Sequence, residues 1–500
     1  FGGLAMRRRV PLHAGYETSP DAFGSIALLV AVALAGWLSA GLRGPDPERP
    51  LPDLAPGQAI NVELIGIVDD TPVCVSNRFG KLQWSFPVAI ERWRPTGGRE
   101  QGWRASSGTI AARMPWMGDH ASNTAYGDQR RWFGNLRAVP PRLANGGQTR
   151  LYLTIFPQHD EPLSTNAGCS LVAACLRVRA YAQYELSRGI EDFPETCAII
   201  DSLLLGYRSV MPNNLYQEFA RTGTLHIFAI SGSHVVELAA VLVFALSALR
   251  LPRRIWVFSL GPALGLYVVM TGMQPSAVRA WVMATVFWIA PVARRRTDAY
   301  AATALSAIII LAVDPTDLAN IGFVLSYVCV LGLVYLSPVF LAPMRGWAEP
   351  DPLLPPPAGG ARASGQAVMR WLKLILATDL AAWLVSAPLT AWYFGLFSPI
   401  ALIGNLIVVP LSGVIILNGC LSLLFGAILP PLAVVFNHAN LALVTAMIQS
   451  THWLESVPGG WRNVSPPPLW AMLCYYLLLL LTGAFFNRRK ARRCDVADSI

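Results

Sequence analysis

The sequence predicts a polytopic α-helical membrane protein of about ten spans with a small β-rich, OB-like barrel inserted on the extracytoplasmic side. Three observations predict it. Apolar residues fill 54% of the 500 positions and charged residues only 14%, against roughly 25% charged in an ordinary soluble domain. Apolar runs of bilayer length recur through the second half of the chain. The arginines and lysines between those runs fall on alternate loops, Arg462 being the exception, the pattern that positive-inside sorting produces. Those loops account for much of the net charge of +9, so a polyanionic substrate needs local support.

Phe1–Asp21 is a short arm carrying Arg7, Arg8 and Arg9, and Ala22–Leu42 is an apolar run of 21 residues. At 1.5 Å per residue such a run crosses roughly 30 Å of hydrocarbon. A cleaved signal peptide is the competing reading. The three arginines place the N-terminus in the cytoplasm, so residues 1–43 form the arm and first span. The Pro-rich linker Gly44–Pro56 then opens an extracytoplasmic domain over residues 44–188. Its strand-like patches are Ile60–Val68, Leu82–Ala89, Thr109–Met114, Thr149–Phe156 and Leu176–Tyr184. Each mixes β-branched or aromatic residues with polar ones between turn formers. Trp93, Trp103, Trp116 and Trp132 interleave with arginines on the expected surface, a composition that stacks bases and neutralises phosphates. Filling a small β core is the plain alternative for the same tryptophans. Cys74, Cys169, Cys175 and Cys197 fall in the soluble region, where one or two disulfides are expected in an oxidising compartment. There is no CxxC pair, so neither a structural zinc nor another cofactor is expected.

Residues 189–224 read as a helical connector, with Pro194–Leu205 and Pro212–Arg221 each starting on a proline, a favoured first helical position. Leu203, Leu204, Leu205 and Tyr207 suit the membrane surface. The membrane body covers residues 225–487. Its spans are Leu225–Leu249, Ile255–Met273, Ala277–Val292, Ala299–Val313, Ile321–Phe340, Leu374–Phe394, Pro399–Gly426, Leu432–His452 and Leu469–Phe486. With the soluble domain outside, parity puts Arg250, Arg253 and Arg254 inside, then Arg294–Arg296, then Arg345, Arg362, Arg370 and Lys373. The basic tail 488–500 is inside too, so both termini are cytoplasmic. Pro399–Gly426, with Pro410 and Gly413, also suits a re-entrant or broken helix.

The chemistry concentrates in Leu225–His234, L-H-I-F-A-I-S-G-S-H, continuing to Glu237. Ionisable residues at membrane depth are costly and mark function by default. Ser231-Gly232-Ser233 interrupts the helical pattern, because glycine and serine favour caps over helix interiors. A fresh helix starting at Ser233 or His234 would aim free N–H groups at a cavity, a geometry that suits anions. His234 and Glu237 are three apart and share a face, and His226 joins them only if the break turns the chain back. A Gly/Ser packing notch with a satisfied histidine is the plain alternative. A Ser–His nucleophile lacks an oriented carboxylate other than Glu237. Arg279 sits one turn inside a span, near the outer face, where it either attracts phosphate or snorkels. Ser326, Ser386 and Asn405 are further polar positions within spans.

Four ordered blocks resemble the ComEC-type competence family. They are Arg221–Val235, Pro275–Ala280 (P-S-A-V-R-A), Asp314–Tyr327 and Ser386–Leu411. The resemblance covers roughly residues 198–457 and implies an inner-membrane channel, not an enzyme, that passes single-stranded DNA into the cytoplasm. In that reading His226, Ser231, Gly232, Ser233, His234, Glu237, Arg279, Ser326, Ser386 and Asn405 line the substrate path. The family pattern Ser-Gly-Leu-His-Val reads Ser231-Gly232-Ser233-His234-Val235 here, which adds a hydroxyl. Many members carry a C-terminal metallo-β-lactamase-like domain with an H-x-H-x-D-H cluster. The seven histidines of this chain form no such cluster, so the form expected lacks that domain: either a partner supplies the nuclease or the chain is truncated. No P-loop motif occurs, so a partner ATPase or helicase-like motor, the proton gradient, or both would drive transport. A separate DNA receptor, the lipid bilayer and a homo-oligomer complete the expected partners. The rival readings are a transporter of another anionic substrate and a membrane-embedded hydrolase using Ser231 and His234.

Overall fold

The computed structural model describes residues 51–52, 54–55, 57–76, 82–96, 102–106, 108–116, 124–139, 150–207, 211–230, 232–290, 298–344 and 361–497. The arm, the first expected span Ala22–Leu42, Ser231 and the arginines Arg294–Arg296 and Arg345 lie outside the described residues.

Strands β1 (Ala59–Val68), β2 (Val73–Ser76), β3 (Leu82–Pro95), β4 (Arg104–Ala105), β5 (Thr109–Pro115), β6 (Gln129–Val139) and β7 (Arg150–Ser164) form one sheet. Pairing runs β1–β3–β5–β7–β6 and back to β1, with β5 parallel to β7 and the other pairs antiparallel. Side chains alternate across each strand, and inward Val62, Leu64, Phe86, Trp132, Leu136 and Leu153 make a dry core. Trp93 and Trp132 belong to that core, while Trp116 is half-exposed, so the tryptophans divide between packing and surface. Gly66 and Gly134 sit at register shifts. A Cβ on either would lie 2.5 Å from the carbonyl oxygen of Ala89 or Thr154, so only glycine lets the strands bend so closely there.

Two expectations fail in this region. Leu176–Tyr184 is not a strand but the middle of helix α1 (Ser170–Ser187). Its buried Cys175, Leu176, Arg179, Ala182 and Leu186 recur at helical spacing, although V-R-A-Y also alternates. The helical layer therefore begins at Ser170, ahead of the expected boundary at 189. The expected disulfides are also absent: Cys74, Cys169, Cys175 and Cys197 are separate thiols, and burial pushes the Cys197 thiol up to about 11.

The connector continues as α2 (Pro194–Ile200), a π turn (Asp201–Leu205) and α3 (Asn213–Arg221). It does not lie on a lipid surface. Leu203, Leu204, Leu205 and Tyr207 are buried with Val408, Ile415, Val444 and Met447 of the helical body. Within this layer Gln183 Nε2 donates to Asp201 Oδ2 at 2.7 Å. Burial pushes the Asp201 carboxyl up to about 7, with Gln183 and Arg179 pulling the other way. A carboxyl raised on folding contributes stability that is complete below its ordinary value of 3.8 and lost as pH rises through the folded value. The melting midpoint should therefore fall between about pH 4 and pH 7 and level off above. Asp201→Asn should flatten that fall, and an unchanged slope in the variant would remove Asp201 as its source.

The body comprises α4 (Gly232–Ala248), α5 (Arg253–Met270), α6 (Pro275–Ile289), α7 (Ala299–Val313), α8 (Ile321–Leu341), α9 (Ala361–Phe394), α10 (Ala401–Gly426), α11 (Pro430–Glu455) and α12 (Leu469–Ala497). Five of these (α8 to α12) contain stretches long and apolar enough to cross a membrane. The 17 residues of α4 span about 25 Å, short of a roughly 30 Å hydrocarbon core. α10 is one continuous helix through Pro410 and Gly413, not a broken one. It pairs along its length with α11. Close approach between α8 and α9 depends on Gly332, where a Cβ would meet Val385 Cγ2 at 2.4 Å, the small-residue contact typical of apolar helix pairs.

Candidate functional site

The Leu225–His234 stretch is held in place from both sides. Gly223 has φ 73°, and a Cβ there would lie 2.6 Å from Ala401 Cβ, so the turn before the stretch requires glycine. Ser398 Oγ donates to Arg221 O at 2.7 Å, and the Thr222 and Thr224 hydroxyls are 2.9 Å apart. Leu225–Phe228 is a single 3-10 turn. His226 is exposed, with Nδ1 3.1 Å from Gly223 O, and the chain does not fold it into a packed triad. Ile230 is fully buried against Val268 and Ala277.

The expected break is present. α4 starts at Gly232, one residue before the expected Ser233. Gly232 and Ser233 are exposed, while His234 and Val235 are buried. A Cβ on Gly232 would lie 3.9 Å from Ala280 Cβ, so this helix start rests on the segment of α6 that carries Arg279. Glu237, half-buried, has Oε2 without a hydrogen-bond partner. Its Oε1 would be 3.5 Å from a Cβ on Gly413, so the carboxyl lies against the bare backbone of α10.

Arg279 is 4% exposed, and its Nε and Nη1 have no hydrogen-bond partner among the described residues. The guanidinium faces the start of α8, where a Cβ on Gly322 would be 3.4 Å from Nη2. Burial to this degree rules out snorkelling to water. Asn405 Nδ2 donates to Asp379 Oδ1 at 2.8 Å, while Asn405 Oδ1 is buried without a partner. Asn405 and Gly413 are eight residues apart on α10, about 12 Å at 1.5 Å per residue, so two acidic groups border one helix. Ser386 Oγ donates to Trp383 O in its own helix at 3.4 Å. Ser326 is half-buried beside Tyr327. The polar positions thus form three neighbourhoods: Glu237 at α10, Arg279 at α8, and Asp379 with Asn405.

The outward side of the sheet carries a second set. The Arg94 and Arg131 guanidiniums lie 4.7 and 5.8 Å from the Trp103 ring centroid, and Arg113 lies 4.5 Å from that of Tyr152. Phe133 contacts Phe156 and His159 at centroid distances of 5.8 and 5.5 Å. Glu63 ion-pairs with Arg94 and Arg131, so the face is mixed in sign. Glu218, His452 and Glu455 bring three potential metal-ligand atoms within 4.8 Å. Arg221 already holds Glu455 at 2.5 Å, so the trio reads as an ion-pair cluster joining α3 to α11.

Sheet and body are joined by an ion pair whose arginine is buried. Arg179 Nη1 donates to both carboxylate oxygens of Asp70 at 3.0 Å, and Nε donates to Leu205 O at 3.0 Å. Its guanidinium stacks 3.6 Å from the Tyr207 ring centroid. Asp70 follows β1, and a Cβ on Gly272 in the α5–α6 turn would be 3.5 Å from its Oδ2. This pairing of residues 109 positions apart has no sequence signal. Asp379 had one, an acid within an apolar run, and sequence reasoning passed it over.

Five helices able to cross a bilayer, with carboxylates and an arginine held between helices of the body, define a polytopic membrane protein. A family model described as "Competence protein" matches residues 203–489, more than half of the chain, and the chain belongs to that family. Among curated relatives, "ComE operon protein 3" of Bacillus subtilis is 28% identical over 46% of this chain and 26% of its own length. "Competence protein ComA" of Neisseria gonorrhoeae is 26% identical over 46% of this chain and 33% of its own length. The aligned part is a third or less of either relative. A small single-stranded DNA-binding protein from Streptomyces coelicolor overlaps 22% of this chain at 18% identity with a TM-score of 0.14, too low to carry weight.

Proposed function

We propose that this chain is the inner-membrane channel through which single-stranded DNA enters the cytoplasm during natural transformation. The family match over residues 203–489 carries the reading. The cycle of strand pairings is read as an OB-like barrel on the extracytoplasmic side, covering residues 44 to about 169 with α1 assigned to the connector. Its outward arginines and aromatics are chemically suited to guide a strand by charge and stacking. The body, with ten spans including Ala22–Leu42 and both termini cytoplasmic, forms the conduit. His226, Ser231, Gly232, Ser233, His234 and Glu237 form its mouth, and Arg279, Ser326, Ser386 and Asn405 extend the polar path. No bond is cut by these residues. A receptor, a motor ATPase and a nuclease would act as separate partners, and protomers would associate in the membrane.

The experiment is uptake of labelled DNA by cells carrying His234→Ala in place of the native gene. A drop of at least about tenfold, the size of a lost interaction worth 1.4 kcal/mol, is expected with protein level unchanged. Normal uptake would remove His234 from the path. Normal uptake after deletion of the whole gene would overturn the channel reading.

A further inference from the structure

Arg279 makes no ion pair in the helical body among the described residues. A buried cation is ordinarily paired, because its lost hydration must be replaced. Here two donor nitrogens have no acceptor among the described residues. The guanidinium is also aimed at the N-terminus of α8, a helix of 21 residues, whose dipole places a partial positive charge at that end. Two positive features therefore converge on one point between α6 and α8.

No neighbour among the described residues pairs directly with this charge. Asp317 and Tyr327 lie in electrostatic range of the guanidinium. Asp317 Oδ1 accepts from Asn320 Nδ2 at 3.3 Å, and no ion pair joins it to Arg279 among the described residues. The Tyr327 hydroxyl is 3.1 Å from Ser306 Oγ. Asn320 Oδ1 caps α8 by accepting from Gly322 N at 2.9 Å. Gly322 lets this helix end approach the guanidinium closely: a Cβ would sit 3.2 Å from Asn320 Oδ1 and 3.4 Å from Arg279 Nη2.

We propose that the space between Arg279 and the start of α8 is a binding site for one phosphate oxyanion. Arg279 Nε and Nη1 and the first-turn N–H groups of α8 other than that of Gly322, which Asn320 Oδ1 already takes, are the donors, and the missing side chain at Gly322 brings the helix end to the guanidinium. The inference rests on the channel reading in one respect, that the working ligand is a phosphodiester of the strand. A single guanidinium balances a single monoanion, so a strand exchanges one phosphate for the next at this point. Orthophosphate and lipid headgroups share the chemistry.

The test uses the full chain, delipidated in a phosphate-free maltoside detergent, with labelled orthophosphate as probe. Saturating orthophosphate should bind and raise the melting midpoint by about 2–4 °C. Arg279→Met should fold with an equal or higher midpoint in phosphate-free buffer, since it removes an unpaired buried charge, and should lose both responses. Gly322→Ala should weaken binding by roughly tenfold, the effect of about 1.4 kcal/mol of lost fit. A thymidine oligonucleotide should displace the probe, and phosphatidylglycerol should not. No orthophosphate binding, or binding retained in Arg279→Met, would overturn the site. Binding lost in Arg279→Met but not displaced by the oligonucleotide would leave the site standing and count against the strand as its ligand. Displacement by phosphatidylglycerol alone would give the site to lipid.

Discussion

Arg179→Ala is expected to destabilise the protein by about 1.5–3 kcal/mol, the loss of hydrogen bonds made by a charged group whose partner Asp70 is partly hydrated. The side chain is 2% exposed and serves three partners at once: Asp70, Leu205 O and the Tyr207 ring. Removing it leaves Asp70 with only its hydrogen bonds from Thr71 and uncaps the carbonyl that ends the π turn. Because these contacts tie the sheet to the connector and to the α5–α6 turn, the sheet should lose its fixed attachment before it loses its own core. Limited proteolysis checks this, with faster cleavage near residues 165–170 of the variant. Asp70→Asn should cost less, because it keeps one acceptor for Arg179. Equal stability of wild type and Arg179→Ala would show that the junction contributes nothing.

Phe156→Ala is expected to weaken binding of a single-stranded oligonucleotide by roughly 5- to 150-fold, the range of about 1–3 kcal/mol for one lost base stack. Phe156 is exposed beside Phe133 and His159, so truncating it leaves the dry core of the sheet untouched. Arg137, exposed and paired in register with Tyr152, tests the electrostatic part. Arg137→Ala should lower the slope of log affinity against log salt by about 0.7, the value for one phosphate contact on a single strand. Unchanged affinity in Phe156→Ala would assign that cluster to surface packing alone.

Much of this arrangement is visible in the residues. Apolar runs located α7, α8 and α12 within a residue or two at their starts, because a span must stay apolar for its whole length. The Ser231–Ser233 break was visible because glycine and serine are poor helix interiors. Strand β6 was hidden by Arg130, Arg131 and Arg137, since alternation is hard to see when the outward residues are charged. One of these, Arg130, is in fact buried with Asp128 and Asp160. α1 was misread because nine residues fit both periods. The Arg179–Asp70 pair and the bare backbone of Gly413 facing Glu237 were not legible, because they arise only when distant elements pack. Arg279 stood out in sequence as a charge within a span, but its alignment with the α8 N-terminus needed the fold.

The proposed conduction of single-stranded DNA is tested most directly by reconstitution. The full chain is placed in liposomes under an imposed membrane potential, labelled single-stranded or duplex oligonucleotide is added outside, and the fraction protected from added nuclease is measured. Protection of the single strand well above empty liposomes, with none for the duplex, is the predicted result. Single strand and duplex digested alike, at the level of empty liposomes, would contradict it.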